Sequence, residues 1–250
     1  MGPRLCGTTT HKSLHPRDES CLIPSMPYRR TDNVARKLAA RHNAILQAAR
    51  DEAAAGGMAA VQIAAVAARA GIAAGTIYRY FPSKTALVTA LIAAMAQREI
   101  DELRRAAEAA PGPLSALAGT IATFATRAMR NRRLAWAMAA EPIDAEIEAL
   151  RLDYRRALAG ELQARIEAAL AGRHLPEQDA ALSARALVGA LLEGAIGPLA
   201  PATDNDKAAE REAVQMLTLL GLRTLGVLDA RARGLVVQIA LPGAGKGAQS

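Results

Sequence analysis

Hydroxyl, guanidinium and ammonium groups crowd into one short stretch of this chain: Thr76, Tyr78, Arg79, Tyr80 and Lys84. Hydroxyls and a guanidinium can hydrogen-bond phosphate oxygens, arginine can grip the edge of guanine with two donors, and the threonine methyl can pack on thymine. The chemistry this suits is recognition of a polyanion rather than bond making. Other reactive constellations are thin. Cys6, His11, His15 and Cys21 are four possible metal ligands, but their spacing matches no tight zinc pattern. His42 and His174 have no second histidine three or four residues away, and Glu146 and Glu148 point to different sides of a helix. No Gly-x-Ser-x-Gly occurs, and Gly243-Ala244-Gly245-Lys246-Gly247 lacks the Ser or Thr and the following helix of a phosphate loop. The expectation is a protein that is not an enzyme, with no metal and no cofactor.

The elements that must position the polar stretch are readable on either side of it. Ile63, Val66, Ala67 and Ala70 fall at spacings of three and four, so a helix there buries one stripe and leaves Arg69 outside. Gly71 ends it, because glycine accepts a left-handed backbone. A second segment, Ala74 to Tyr80, has Ile77 as its inward anchor and turns Thr76, Tyr78, Arg79 and Tyr80 to other faces. Pro82 cannot extend that segment, while Ser83 can cap the next helix and leave Lys84 in its first turn, where a phosphate could sit. Upstream, Thr31 or Asp32 can cap a helix running to about Ala55, with Leu38, Ile45, Ala48 and Ala49 inward and Arg36, Lys37 and Arg41 outward.

This order of residues, Ala70-Gly71-Ile72 and then Gly75-Thr76-Ile77-Tyr78-Arg79-Tyr80-Phe81-Pro82-Ser83-Lys84, resembles the helix-turn-helix of the tetracycline-repressor (TetR) family of bacterial regulators. The motif covers about residues 36 to 92. The resemblance implies that Thr76, Tyr78, Tyr80 and Lys84 contact DNA and that Ala73 and Ala74 lead the recognition helix into the major groove. Two departures stand out. Ala73 and Ala74 occupy the place of a Ser-Lys-like pair, and Val61-Gln62 stands where Thr or Ser commonly caps the first helix, leaving Gln62 as the nearest polar group. Base readout is therefore expected to lean on Arg79, Thr76 and methyl contacts.

Charge supports that placement. Residues 1 to 90 hold 12 Lys/Arg against 5 Asp/Glu, whereas residues 91 to 250 hold 19 of each, so the whole formal excess of +7 lies at one end. A basic end joined to a neutral remainder is expected when only the first meets phosphates. Part of that excess belongs to the first 50 residues, with 9 basic against 3 acidic, where a basic tail would also account for it. The chain is 51% hydrophobic but only 3% aromatic, and alanine-rich segments without Val/Ile/Thr alternation predict an all-α protein. No apolar run approaches the ~20 residues of a membrane span. With both cysteines in the first 30 residues, the composition fits a reducing cytoplasm.

About nine helices are expected in four parts: a disordered extension over 1–30, a helix-turn-helix domain over 31–82, a ligand-binding and dimerisation bundle over 83–229 and a flexible tail over 230–250. Translation from Met1 or from Met26 both remain compatible with the sequence. A long rod starts near Ser83, carries Leu87, Leu91, Met95 and Leu103 inward and stops before Pro111-Gly112-Pro113. Further helices are expected over about 114–130, 132–140, 143–171, 177–196 and 206–227. By the resemblance, the middle helices hold an inducer, and Phe124, Met129, Trp136, Met138, Tyr154 and Leu158 supply large or adaptable side chains for a largely apolar small molecule, although the same spacing suits an ordinary core. Glu141 could receive a cationic ligand if buried and Arg127 or Arg130 an acid, or each could serve as a solvated or capping charge. Leu187, Val188, Leu191, Leu192 and Ile196, with Val214, Leu217, Leu220, Gly221 and Leu225, form wide stripes that suit either an internal core or the four-helix homodimer seam that the resemblance implies. Such a dimer sets two recognition helices about one DNA turn, ~34–36 Å, apart. The function implied is a ligand-responsive repressor released from operator DNA by an inducer; an architectural or adaptor DNA-binding protein without small-molecule control is the alternative.

Overall fold

The computed structural model describes residues 28–141, 145–198, 200–201 and 206–239. Cys6, His11, His15 and Cys21, with most of the expected N-terminal extension, lie outside the described residues. Two compact units divide within the first helix, after Ala39. What is described of the first unit is the opening of α1 (Tyr28–Gly56), where residues 32–39 are exposed, including Leu38, for which an inward position was expected.

The second unit contains the rest. Ile45, Ala48, Ala49 and Ala53 form the buried stripe of α1. A short 3-10 turn at Met58–Ala60 leads to α2 (Ile63–Ala70), which ends at Gly71 with φ 65° and the Ile72 N–H donating to the Ala67 carbonyl at 3.0 Å. α3 (Ala74–Tyr78) is shorter than the Ala74–Tyr80 that the sequence suggests, because Arg79 and Tyr80 close a turn in which the Phe81 N–H reaches the Ile77 carbonyl at 2.9 Å. α4 (Lys84–Glu108) starts at Ser83, whose hydroxyl accepts from the Ala86 N–H at 3.0 Å as the sequence indicates. At ~1.5 Å per residue it is a rod of about 37 Å.

α5 (Pro113–Arg130) begins with proline in its first turn and is buried nearly all round, through Leu117, Ile121, Phe124 and Ala125 among others. A helix apolar on every side must lie in the middle, and α5 contacts α4, α6, α7, α8, α9 and α10. Those neighbours are α6 (Arg132–Ala139), α7 (Ala145–Ala171), α8 (Ala180–Ile196), α9 (Lys207–Thr224) and α10 (Asp229–Gln238). Asp179 caps α8 by accepting from the Leu182 N–H at 3.0 Å, and Asp206 caps α9 through the Ala208 N–H at 2.8 Å. The protein is all-α among the described residues, with ten α-helices rather than nine. The additional one, α10, falls where a flexible tail was expected. Ala232 and Val236 are four residues apart and buried, which gives it an anchored face.

Candidate nucleic-acid interface and internal cavity

Ile77 is the one buried residue of α3 and is wholly inaccessible. With that side chain fixed inward, helical geometry turns Tyr78 and Arg79 outward, and Ala73 and Ala74 are open at the start of the helix: all four are exposed, Tyr78 at 53%, while Thr76 and Tyr80 are half-buried. Phe81 is buried beneath the turn, its ring centroid 4.9 Å from that of His42 on α1. Lys84 is exposed in the first turn of α4, next to the Ser83 cap, and Arg41 is exposed on α1. The Arg79 guanidinium carbon lies 6.0 Å from the Tyr80 ring centroid, at the outer reach of a cation–π contact. Gln62 is exposed but does not cap α2; its amide donates to the Ala59 carbonyl at 2.8 Å instead. Arg69 pairs with Glu52 at 2.6 Å, which ties α2 to α1.

The bundle holds a cavity of about 290 Å³. Met95, Phe124, Leu134, Met138, Leu192 and Ile196 give it apolar walls, and Arg50, Arg98, Glu99, Glu102, Arg127 and Arg130 add charge. Arg127 donates from Nε to Glu99 Oε2 at 2.7 Å. Burial raises the Glu99 carboxyl above its usual range, an effect that Arg127 opposes. Burial likewise raises the Tyr154 phenol well above its usual value, with the Glu99 charge adding to it.

Of the ligand contacts expected from sequence, Phe124, Met138 and Tyr154 line this cavity. Leu158 instead lines a much smaller apolar gap with Leu103, Phe124 and Leu191, and Met129 is buried in the core without facing either space. Trp136 is half-buried on the side of α6 away from the cavity lining, and Glu141 turns to the backbone of Met58. Arg127 and Arg130, which the sequence offers as receivers of an acid, both line the cavity. Glu99 was not anticipated there, although one signal was present. Glu99 falls on the four-residue stripe Leu87, Leu91, Met95, Leu103, and a carboxylate inside an apolar stripe marks a polar site in the interior.

Of the two uses open to the α8 and α9 stripes, most of their residues serve the internal core. Leu187, Val188, Leu191, Ile196, Val214, Gly221 and Leu225 are buried inside the single chain. A Cβ on Gly221 would lie 3.1 Å from Leu187 Cδ1 and 3.2 Å from Ile121 Cδ1, so this glycine serves the crossing of α5, α8 and α9. Leu192 and Leu217 are half-buried, and Leu220 is 49% exposed. The apolar groups left for a partner on these helices are Leu220 with Met216 at 57% and Leu182 at 59%.

Residues 45–91 match the family model of bacterial regulatory proteins, tetR family. Over that segment the chain is similar to the TetR family. It is 39% identical over 98 residues to the HTH-type transcriptional repressor KstR of Mycolicibacterium smegmatis, a stretch covering 39% of this chain and 48% of that repressor. The chain thus spans about half the length of the curated relatives it matches. Solved structures extend the likeness in fold to the bundle. RolR in complex with resorcinol gives a TM-score of 0.58 at 20% identity, covering 82% of this chain and 97% of RolR. FadR of Bacillus subtilis in complex with stearoyl-CoA gives a TM-score of 0.58 at 19% identity, covering 70% and 96%. No helix among the described residues is long and apolar enough to cross a membrane, and no group of three or more metal-ligating side chains occurs among them.

Proposed function

We propose that this chain is a cytoplasmic, homodimeric transcriptional repressor of the TetR family that leaves its operator when a small molecule enters the bundle. The observation that carries the reading is the accessible set Ala73, Ala74, Thr76, Tyr78, Arg79, Tyr80 and Lys84, on and beside a five-residue helix that Ile77 pins to the core. Tyr78 and Lys84 bind phosphate oxygens, and the N–H groups at the start of α4 add a second phosphate contact. Thr76 and Arg79 reach base edges, with Ala73 and Ala74 packing on the groove floor. Arg41 and Gln62 flank the site. Steric spreading of the two heads is the release mechanism.

The dimer forms through the outer side of α8 and α9, where Leu182, Met216 and Leu220 replace the buried set expected from sequence. The inducer is amphipathic rather than largely apolar. Arg127 is paired with Glu99 and Arg130 with Glu210. Arg98, with Arg50 only 3.8 Å from Asp51, adds positive charge at the rim of an apolar interior, which suits a compact hydrocarbon or aromatic body bearing an acidic group. The protein similar in fold that is bound to stearoyl-CoA, an acyl chain with an anionic head, supports this class. A cavity of this kind also favours ligand control over an architectural role.

The test is a titration of the purified chain onto its own upstream promoter fragment, with and without medium-chain fatty acids and aromatic acids. Retention that one of these ligands abolishes supports the proposal. Retention indifferent to every acid, together with no thermal shift from any, assigns the protein to the architectural class.

A further inference from the structure

α6 forms one wall of the cavity through Leu134, Ala135, Met138 and Ala139. Its last carbonyls are held by α7: Arg151 donates from Nη2 to the Ala137 carbonyl at 2.8 Å, and Arg155 does the same to the Ala139 carbonyl at 2.9 Å. Arg151 is itself only 2% exposed. Two residues past the helix, Glu141 reaches across to the helix-turn-helix unit, where its Oε2 accepts the Met58 backbone N–H at 2.9 Å.

Met58 opens the 3-10 turn before α2, so its N–H is one of the donors that a helical start leaves without an internal acceptor. Gly57, which caps this turn, lies at φ 75°, and a Cβ there would stand 2.8 Å from Glu141 Oε2 and 3.1 Å from Oε1. Gly57 therefore supplies both the left-handed backbone and the space that the carboxylate fills. From the turn the chain passes through Val61, wholly buried, to Gln62 at the start of α2. A ligand that displaces α6 acts at one end of this path, and the segment entering the helix-turn-helix lies at the other.

We infer that Glu141 is a positioning residue that latches the turn ahead of α2 to the cavity wall, so that movement of α6 is transmitted to the DNA-binding helices through the Glu141–Met58 hydrogen bond. The inference rests on reading the cavity as the effector site. It gives Glu141 a role other than ligand contact.

Hydrogen exchange on the full chain tests the bond first. Glu141→Ala should speed exchange of the Met58 amide about tenfold, the loss expected for a hydrogen bond to a charged acceptor, while α5 and α9 stay protected. Glu141→Gln, which keeps a carbonyl acceptor, should restore most of the protection. Unchanged exchange at Met58 in Glu141→Ala overturns the latch. The coupling is tested next with Ala135→Phe, a ring built into the cavity wall as a fixed stand-in for occupancy. Ala135→Phe should weaken binding to promoter DNA in the wild-type background, and by at least about threefold less when Glu141 is alanine. Equal effects in both backgrounds, or no effect in either, overturn the transmission role. A wild-type chain that binds no DNA defeats the repressor reading and the transmission role with it, while the latch is judged separately by the exchange result.

Discussion

Ile77→Ala is the substitution whose consequences the structure fixes most closely. α3 has five residues, and helices shorter than ~12–15 residues are not stable alone in water. Its geometry therefore comes from tertiary packing, and Ile77, at 0% exposure, is its one buried side chain. Truncation removes three carbon groups, worth about 2.4 kcal/mol at ~0.8 kcal/mol each, and the cavity left behind brings the usual cost to ~2–5 kcal/mol. For a chain of this size about 3 kcal/mol corresponds to a fall in Tm of ~6–12 °C if unfolding is a single step. Helical circular dichroism would follow the whole chain, and the single Trp136 would report on the bundle. Fluorescence anisotropy should show loss of both operator and random DNA, since Thr76, Tyr78 and Arg79 all shift with the anchor. Ile77→Val, costing ~0.5–1.5 kcal/mol, should retain binding. Wild-type stability and wild-type DNA affinity in Ile77→Ala would show that α3 is held by something else.

Other substitutions separate the roles of neighbouring groups. Tyr78→Ala and Lys84→Ala should weaken binding to every sequence, with Lys84→Ala lowering the salt slope by about one; an unchanged slope in titrations from low to moderate salt would remove Lys84 from the phosphate contacts. Arg79→Ala should relax base preference at a cost of ~1–3 kcal/mol, and equal losses on operator and random DNA would assign Arg79 to phosphate instead. Met216→Glu with Leu220→Glu should yield monomers in analytical ultracentrifugation and a large loss of operator affinity, whereas an intact dimer would move the seam off α9. Glu99 carries a pH signature. Its carboxyl is raised in the folded state by burial, so the stability it contributes is complete below the usual glutamate value and declines as pH rises through the raised one. Wild type should therefore lose stability relative to Glu99→Gln in urea titrations as pH rises above the usual glutamate value, and a constant difference would argue against a buried carboxyl.

The helix-turn-helix was legible because its signals are local. Gly71, Pro82 and Ser83 act on their own backbone, and Ile77 is set by the period of a single helix. The Ser83 cap followed the same logic, its hydroxyl accepting the Ala86 N–H. The starts of α8 and α9 were read early, because Asp179 and Asp206, inside the expected helices, act as caps instead. What periodicity could not say was which neighbour a stripe would meet. Leu187, Val214 and Gly221 are buried against their own chain because alanine-rich α5 admits close approach on every side, a fact that belongs to the packing of three helices. Glu99 and Arg151 could have been flagged as charges on apolar stripes, but their partners, Arg127 and the Ala137 carbonyl, are set by tertiary structure. Glu141 shows the same limit: its partner Met58 lies 83 residues away.

Repression by this protein requires DNA binding by the α3 surface. Anisotropy of a labelled fragment from the chain's own upstream region, titrated at low ionic strength with wild type and with the Tyr78→Ala/Lys84→Ala pair, measures it directly. Tight, salt-sensitive binding by wild type that the double variant loses, with its helical content unchanged, is the expected result. A folded wild-type chain that leaves the fragment free, or a double variant that binds as well as wild type, would contradict the account.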